Sequence, residues 1–294
     1  MTLRYDLHCH SLASDGALSP AALVARAAEQ GVQLLALTDH DTLAGLPEAR
    51  AAAQQHGVTL VPGIELSVDW QGRELHLVGL DMDPEHPAMR ALVASQQQAR
   101  ETRARQIGAR LDRAAGMALS YDKAAALAGT PAPGRPWFAR MLVTEGKVRD
   151  EAHAFNRFLK QGQAAFVRTP WASLTEAVTV VREAGGVAAI AHPVRYGLTR
   201  RKLRQLLAEF CDAGGQALEV ALPRMSPPQQ QLMVECLRDF PLHASGGSDF
   251  HTPAQLWLEL GRVPPFPPGV QPVWELFRTP LPAAAAVPPV TAAP

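Results

Sequence analysis

Gln33–Leu37 is the stretch that most restricts the fold. After one polar residue it is wholly apolar and too short for a helix, and a strand apolar on both faces needs cover on both. That is the setting of a parallel strand in an α/β sheet. The pattern returns at Val187–Ala191, Ala217–Leu222 and Leu242–Gly246, with helical patterns between. Ser19-Pro20 supplies an N-cap and first helical residue for a helix to Gln30, Pro47–Gln55 closes at His56-Gly57, and Ser173-Leu174-Thr175-Glu176 is a capping box. Further helices run to Asp212 and Phe240, and short strands are expected over Leu3–His10 and Ala164–Val167. Thr59–Leu80 breaks the alternation, because its turn at Gln71-Gly72 reads as a hairpin. At 294 residues the chain matches one α/β barrel of about 250 residues with an insertion.

The insertion is expected near residues 98–164, between barrel segments 1–97 and 165–280, with a Pro/Ala-rich tail at 281–294. Gln96–Gln106 is polar all round, which predicts a helix bridging outward through solvent, and short helices follow near 121–128, 136–145 and 151–160. Residues 95–165 hold twelve Lys/Arg and six Asp/Glu, whereas the whole chain balances at 28 of each. No global basic field exists to draw in long duplex nucleic acid, but a basic lid over an acidic barrel suits a small anionic substrate. Three scattered cysteines exclude a disulfide framework and a thiolate metal site. No leader-like segment and no apolar run of about 18 residues stands out, so a cytoplasmic protein without membrane contact is expected.

His8 and His10 flank Cys9 on a strand, so both imidazoles face one side and Cys9 the other. Alone, such a pair is equally an ordinary pair of buried histidines. Its company changes the weight: His40, His76, His192 and His251, with Asp15, Glu65 and Asp249, also fall at or near strand ends, where barrels carry their chemistry. Nine N and O donors exceed the needs of one ion, which implies two or three divalent metals. His56, His86, His153 and His243 lie on helices, loops or a strand start and are left out of the site.

The chain resembles the PHP (polymerase and histidinol phosphatase) superfamily through DLHCHSLASDG, ALTDHDTLAGLPEA, PGIELS, ELHLVGL, IAHPVRYG and GGSDFH. The insertion, through GRPWFARMLV and EAHAFNRFLKQGQAAFV, resembles stand-alone nucleoside 3′,5′-bisphosphate phosphatases and their RNA-trimming relatives. The resemblance implies a distorted seven-stranded (β/α)7 TIM-like barrel with an inserted small α-helical domain and a trinuclear site. His8, His10, Glu65 and Asp249 would hold one metal, Glu65, His76 and His192 a second, and Asp15, His40 and His251 a third, with Glu65 as bridge. Manganese is the first expectation, with iron or zinc as alternatives. Trp137 departs from the family pattern, which has histidine there.

Clustered divalent ions generate a nucleophile near neutral pH and clamp a phosphoryl group, which argues for phosphate-ester hydrolysis. Asp249 and His192 are the expected catalytic residues with Arg135, and Arg135 and Arg195 would offer forked donors to substrate phosphates. The expected reaction removes the 3′-phosphate of a nucleoside 3′,5′-bisphosphate, with short 5′-phosphorylated RNA as a further substrate. A histidinol-phosphate-type phosphatase and a non-catalytic metal-binding regulatory domain are the rival readings.

Overall fold

The computed structural model describes residues 3–282; the expected tail beyond that point lies outside the described residues. In chain order the elements are β1 (Tyr5–Asp6), α1 (Pro20–Glu29), β2 (Leu34–Leu37), α2 (Leu46–His56), β3 (Thr59–Trp70) and β4 (Arg73–Leu80). Helices α3 (Pro87–Ala114), α4 (Ser120–Ala128), α5 (Arg135–Thr144) and α6 (Glu151–Ala154) follow, the last running into a π-helical turn at Phe155–Leu159. Then come β5 (Ala172–Ser173), α7 (Leu174–Glu183), β6 (Val187–Ile190), α8 (Arg200–Asp212), β7 (Ala217–Ala221), α9 (Pro227–Asp239) and β8 (His243–Gly246).

One sheet takes the order β1-β2-β3-β4-β6-β7-β8, with β5 beside β3. Pairing is parallel except at β3–β4 and β4–β6. The hairpin is the reason: β4 follows β3 through a two-residue turn, so it runs back without a crossover helix. The sheet therefore curls without strict β/α repetition. Its ends share no ladder; they meet where Leu7 N donates to Gly246 O (3.2 Å), Asp249 N to His8 O (2.8 Å) and His10 N to Phe250 O (2.9 Å).

Alternation along each strand divides the core. Leu35 and Leu37 face the helices with Ile64, Leu66, Leu77 and Phe210, whereas Leu34 and Ala36 face the interior with Leu7, Val61, Val78 and Ala189. The chain after β8 returns to cover the interior: Val273 and Trp274 are buried there, the Trp274 ring 4.7 Å from that of Tyr5.

Three expectations are corrected. Regular strand at the N-terminus is confined to Tyr5–Asp6, because the backbone from Leu7 turns to meet the β8 end. Residues 164–167 form no strand, and the chain reaches the sheet only at β5. The polar stretch does not bridge through solvent: α3 runs unbroken past residue 98, burying Gln96 and Arg103 against the sheet and Ala104, Ile107 and Leu111 in a separate helical cluster with Phe138, Leu142 and Phe158.

Candidate metal centre

All nine donors collect on one edge of the curled sheet. His8 and His10 follow β1, Asp15 is on the next loop, His40 follows β2, Glu65 and His76 lie within the hairpin, His192 follows β6, and Asp249 and His251 follow β8. The local backbone is specialised for this. His192 and Asp249 take φ of 28° and 55°, a region costly for residues with a side chain and found where function imposes it. Gly247 is required by space, since a Cβ there would lie 2.4 Å from His8 N.

The tightest group is built on His8 and His10, whose Nε2 atoms are 3.1 Å apart. Glu65 Oε2 lies 3.2 Å from each, and Asp249 Oδ1 3.4 and 3.2 Å away. The other Glu65 oxygen, Oε1, stands 2.8 Å from His76 Nδ1 and 2.9 Å from His192 Nε2, so one carboxylate faces two donor groups. A third group unites Asp15, His40, His251 and also His10, with Asp15 Oδ1 3.3 Å from His251 Nε2. The grouping differs from expectation at three points: His10 reaches the third group, His40 Nδ1, 3.1 Å from Glu65 Oε2, converges with Glu65 and His76, and His192 meets the site through Glu65 Oε1 without joining a converging group.

Burial opposes ionisation of Asp15, Glu65 and Asp249, yet the surrounding imidazoles hold all three carboxyls well below the usual range. Burial likewise opposes a charge on His10, but Asp249 and Glu65 push it up to about 10. A field that draws a proton so strongly draws a cation as well, and metal binding releases that proton. The donor chemistry fits divalent ions. His10 Nδ1, His40 Nδ1, Glu65 Oε2, His76 Nδ1 and His192 Nδ1 are buried without a hydrogen-bond partner, and the Nε2 atoms of His8 and His10 face each other beside Glu65 Oε2 and Asp249 Oδ1.

Beside His76 and His192 opens a cavity of about 420 Å3, whose walls include Arg135, Arg195, Phe166 and Trp171. Neither arginine is free. Arg135 donates to Glu74 Oε1 (3.0 Å), and Arg195 to Asp249 Oδ2. Trp137, where the resemblance led to an expectation of histidine, is a clamp: its Nε1 donates to Ser14 O (2.8 Å), and Arg140 beside it donates to Asp15 O (2.9 Å).

The model of the PHP domain matches residues 6–129. A 5′-3′ exoribonuclease of Haemophilus influenzae is 47% identical over 277 residues, covering 94% of this chain and 100% of that protein. The chain belongs to the PHP family. A 3′,5′-nucleoside bisphosphate phosphatase of Chromobacterium violaceum is 42% identical over 270 residues, covering 92% of this chain and 94% of that one. Among solved structures, an amidohydrolase from Chromobacterium violaceum with bound sulfate and no metal superposes with a TM-score of 0.87 at 42% identity, over 93% of this chain and 95% of that one. A metal-dependent phosphoesterase from Bifidobacterium adolescentis does so with a TM-score of 0.78 at 26% identity, over 93% and 94%.

Several residues of this PHP site escaped the sequence reading. Glu219, on β7 and fully buried, accepts from His8 Nδ1 (2.7 Å) and from His192 N (2.6 Å). It thereby sets the His8 tautomer and aims Nε2 at the donor group. Asp39 binds Ser11 and Ser14 below the Asp15 loop, and Asp41 binds Gln96 and Arg100 of α3. A charged residue inside an otherwise apolar strand was the available signal for Glu219.

Proposed function

We propose that this protein is a metal-dependent phosphoesterase that removes the 3′-phosphate of nucleoside 3′,5′-bisphosphates, leaving 5′-mononucleotides. The same cleavage, phosphorus from the 3′-oxygen, would release 5′-mononucleotides from the 5′ end of short 5′-phosphorylated RNA. The observation that carries the reading is the cavity itself. It joins the metal donors His76 and His192 to guanidinium groups at Arg135 and Arg195 and, toward the hairpin tip, at Arg73 and Arg168. A monophosphate needs only the donor edge. Guanidinium groups farther along the cavity suit a second phosphate on the same substrate. Sulfate bound in the similar Chromobacterium structure is in keeping with an anion site.

In this reading the nine donors hold three ions in the sets implied by the family, manganese first among candidates. Bound there, the ions would activate water and neutralise charge on the phosphoryl oxygens. Asp249, kept ionised by its imidazole neighbours and by Arg195, would hold an ion through Oδ1, while Arg195 fixes its Oδ2. That charge state makes it a poor acid for the leaving oxygen. His192, tied to Glu65 and Glu219, holds the shared edge of the site rigid. Arg195 turns its remaining N–H groups to the phosphoryl group, and Arg135 takes the 5′-phosphate, with Phe166 and Trp171 as apolar wall for the base.

The test is a substrate panel on protein reconstituted with Mn2+: adenosine 3′,5′-bisphosphate, 3′-AMP, 5′-AMP and histidinol phosphate. The bisphosphate should be preferred, 3′-AMP should follow more weakly, and 5′-AMP should be inert. Indifference to both phosphates, or preference for histidinol phosphate, would refute the assignment.

A further inference from the structure

A second hollow, of about 880 Å3, opens on another flank of the donor edge, lined in part by Asp249 and His251. It shares the wall residue Arg195 with the first cavity, so the two open on either side of that side chain beside the donors. Trp257 stands in it with 61% of its surface exposed, and the Arg224 guanidinium lies 5.7 Å from the ring centroid. Arg224 follows Pro223 with φ of 65°, a conformation unfavourable for a side-chain-bearing residue. Phe155 enters the hollow from the π-helical turn, an irregularity that recurs at functional sites. Of the acids present, Asp249 pairs with Arg195, Asp150 caps α6 at His153 N (2.7 Å) and Glu151 faces Arg140 (3.5 Å), so all three are engaged.

We propose that this hollow is the subsite for the second nucleotide of a 5′-phosphorylated oligoribonucleotide, its base stacked on Trp257 and its 3′-side phosphate drawn by Arg224. The inference rests on the proposed function. Cleavage between phosphorus and the 3′-oxygen leaves the first nucleotide in the cavity of His76 and His192. The phosphoryl group at the donors still carries the 5′-oxygen of the next nucleotide, which must leave the centre by another opening. The hollow of Trp257 provides it. An exposed indole with an arginine at its face stacks on any base, which suits removal of nucleotides without sequence preference.

The discriminating experiment compares wild type, W257A and W257F on adenosine 3′,5′-bisphosphate and on the 5′-phosphorylated dinucleotide and tetranucleotide of adenosine. Binding of a 3′-fluorescein-labelled, phosphorothioate-linked tetramer is followed in parallel by anisotropy. W257A should lower kcat/KM on both oligonucleotides and weaken tetramer binding by roughly tenfold. Its bisphosphate turnover should match wild type, and W257F should recover most of the loss. Equal loss on all substrates, loss on none, or a wild type that cleaves the bisphosphate but neither cleaves nor binds the tetramer would overturn the subsite and leave the bisphosphate assignment standing. A wild type inert toward the bisphosphate would instead remove the proposed function itself.

Discussion

Glu219 is not itself in the expected ligand set, yet it joins two of its members: one oxygen accepts from the His8 ring and the other from the His192 backbone. Carboxylates in that relation to a ligating imidazole fix its orientation and raise its basicity, and their loss typically costs 10–100-fold in metal affinity. E219Q should therefore weaken Mn2+ binding by about tenfold or more in a calorimetric titration, while its far-ultraviolet circular dichroism stays that of wild type. Unchanged affinity would mean that packing alone orients His8. This residue also marks where reading the sequence ran out. His8, His10, His40, His76, His192, His251, Asp15, Glu65 and Asp249 were legible because motifs and strand ends pointed to them. Glu219 lies between Leu218 and Val220, and only the curl of the sheet turns it toward His8.

At the level of elements, Glu74 ties the hairpin to the helical segment. It lies on β4 and pairs with Arg103 on α3 (3.4 Å) and Arg135 on α5 (3.0 Å). Burial would raise its carboxyl, but these two guanidiniums outweigh that and hold it down at about 2, against an ordinary value of 4.5. Between those values the unfolded chain binds a proton that the folded chain does not, so stability increases with pH. The contribution, on the order of 3 kcal/mol, is complete above about pH 4.5 and is lost as the pH falls toward 2. Urea denaturation should find E74Q less stable than wild type at pH 7, the difference narrowing by pH 3; a gap independent of pH would show that the ion pairs are not its source. The sequence showed these helices but not their attachment. A polar face normally meets water, and nothing local reveals that Gln96, Arg100 and Arg103 meet the buried carboxylates and carbonyls of the sheet instead.

For the whole molecule, the curled sheet has a site at one end and a plug at the other. Trp274 fills the interior beside Tyr5, at the strand starts, away from the donors that follow the strand ends. W274A should cost about 3–5 kcal/mol, lowering Tm by roughly 10 °C in differential scanning calorimetry. Mn2+ binding per folded molecule should persist at low temperature; its loss there would show that the plug shapes the site. Alternating apolar strands and capped helices made the α/β class legible. The hairpin of β3 and β4 was legible from its turn at Gln71-Gly72, but the antiparallel pairing of β4 with β6 and the meeting of β1 with β8 were harder, because long-range register leaves little local trace.

The clamp of Trp137 and Arg140 on the carbonyls of Ser14 and Asp15 has an energetic reading as well. It makes α5 and the loop that bears Asp15 a single mechanical unit. If a nucleotide orders α5 at Arg135, as proposed, that ordering would be felt as affinity for a cation at Asp15, His40 and His251, and thermodynamic reciprocity would return the same factor to the nucleotide. Cargo and counter-charge would then be acquired, and surrendered, together.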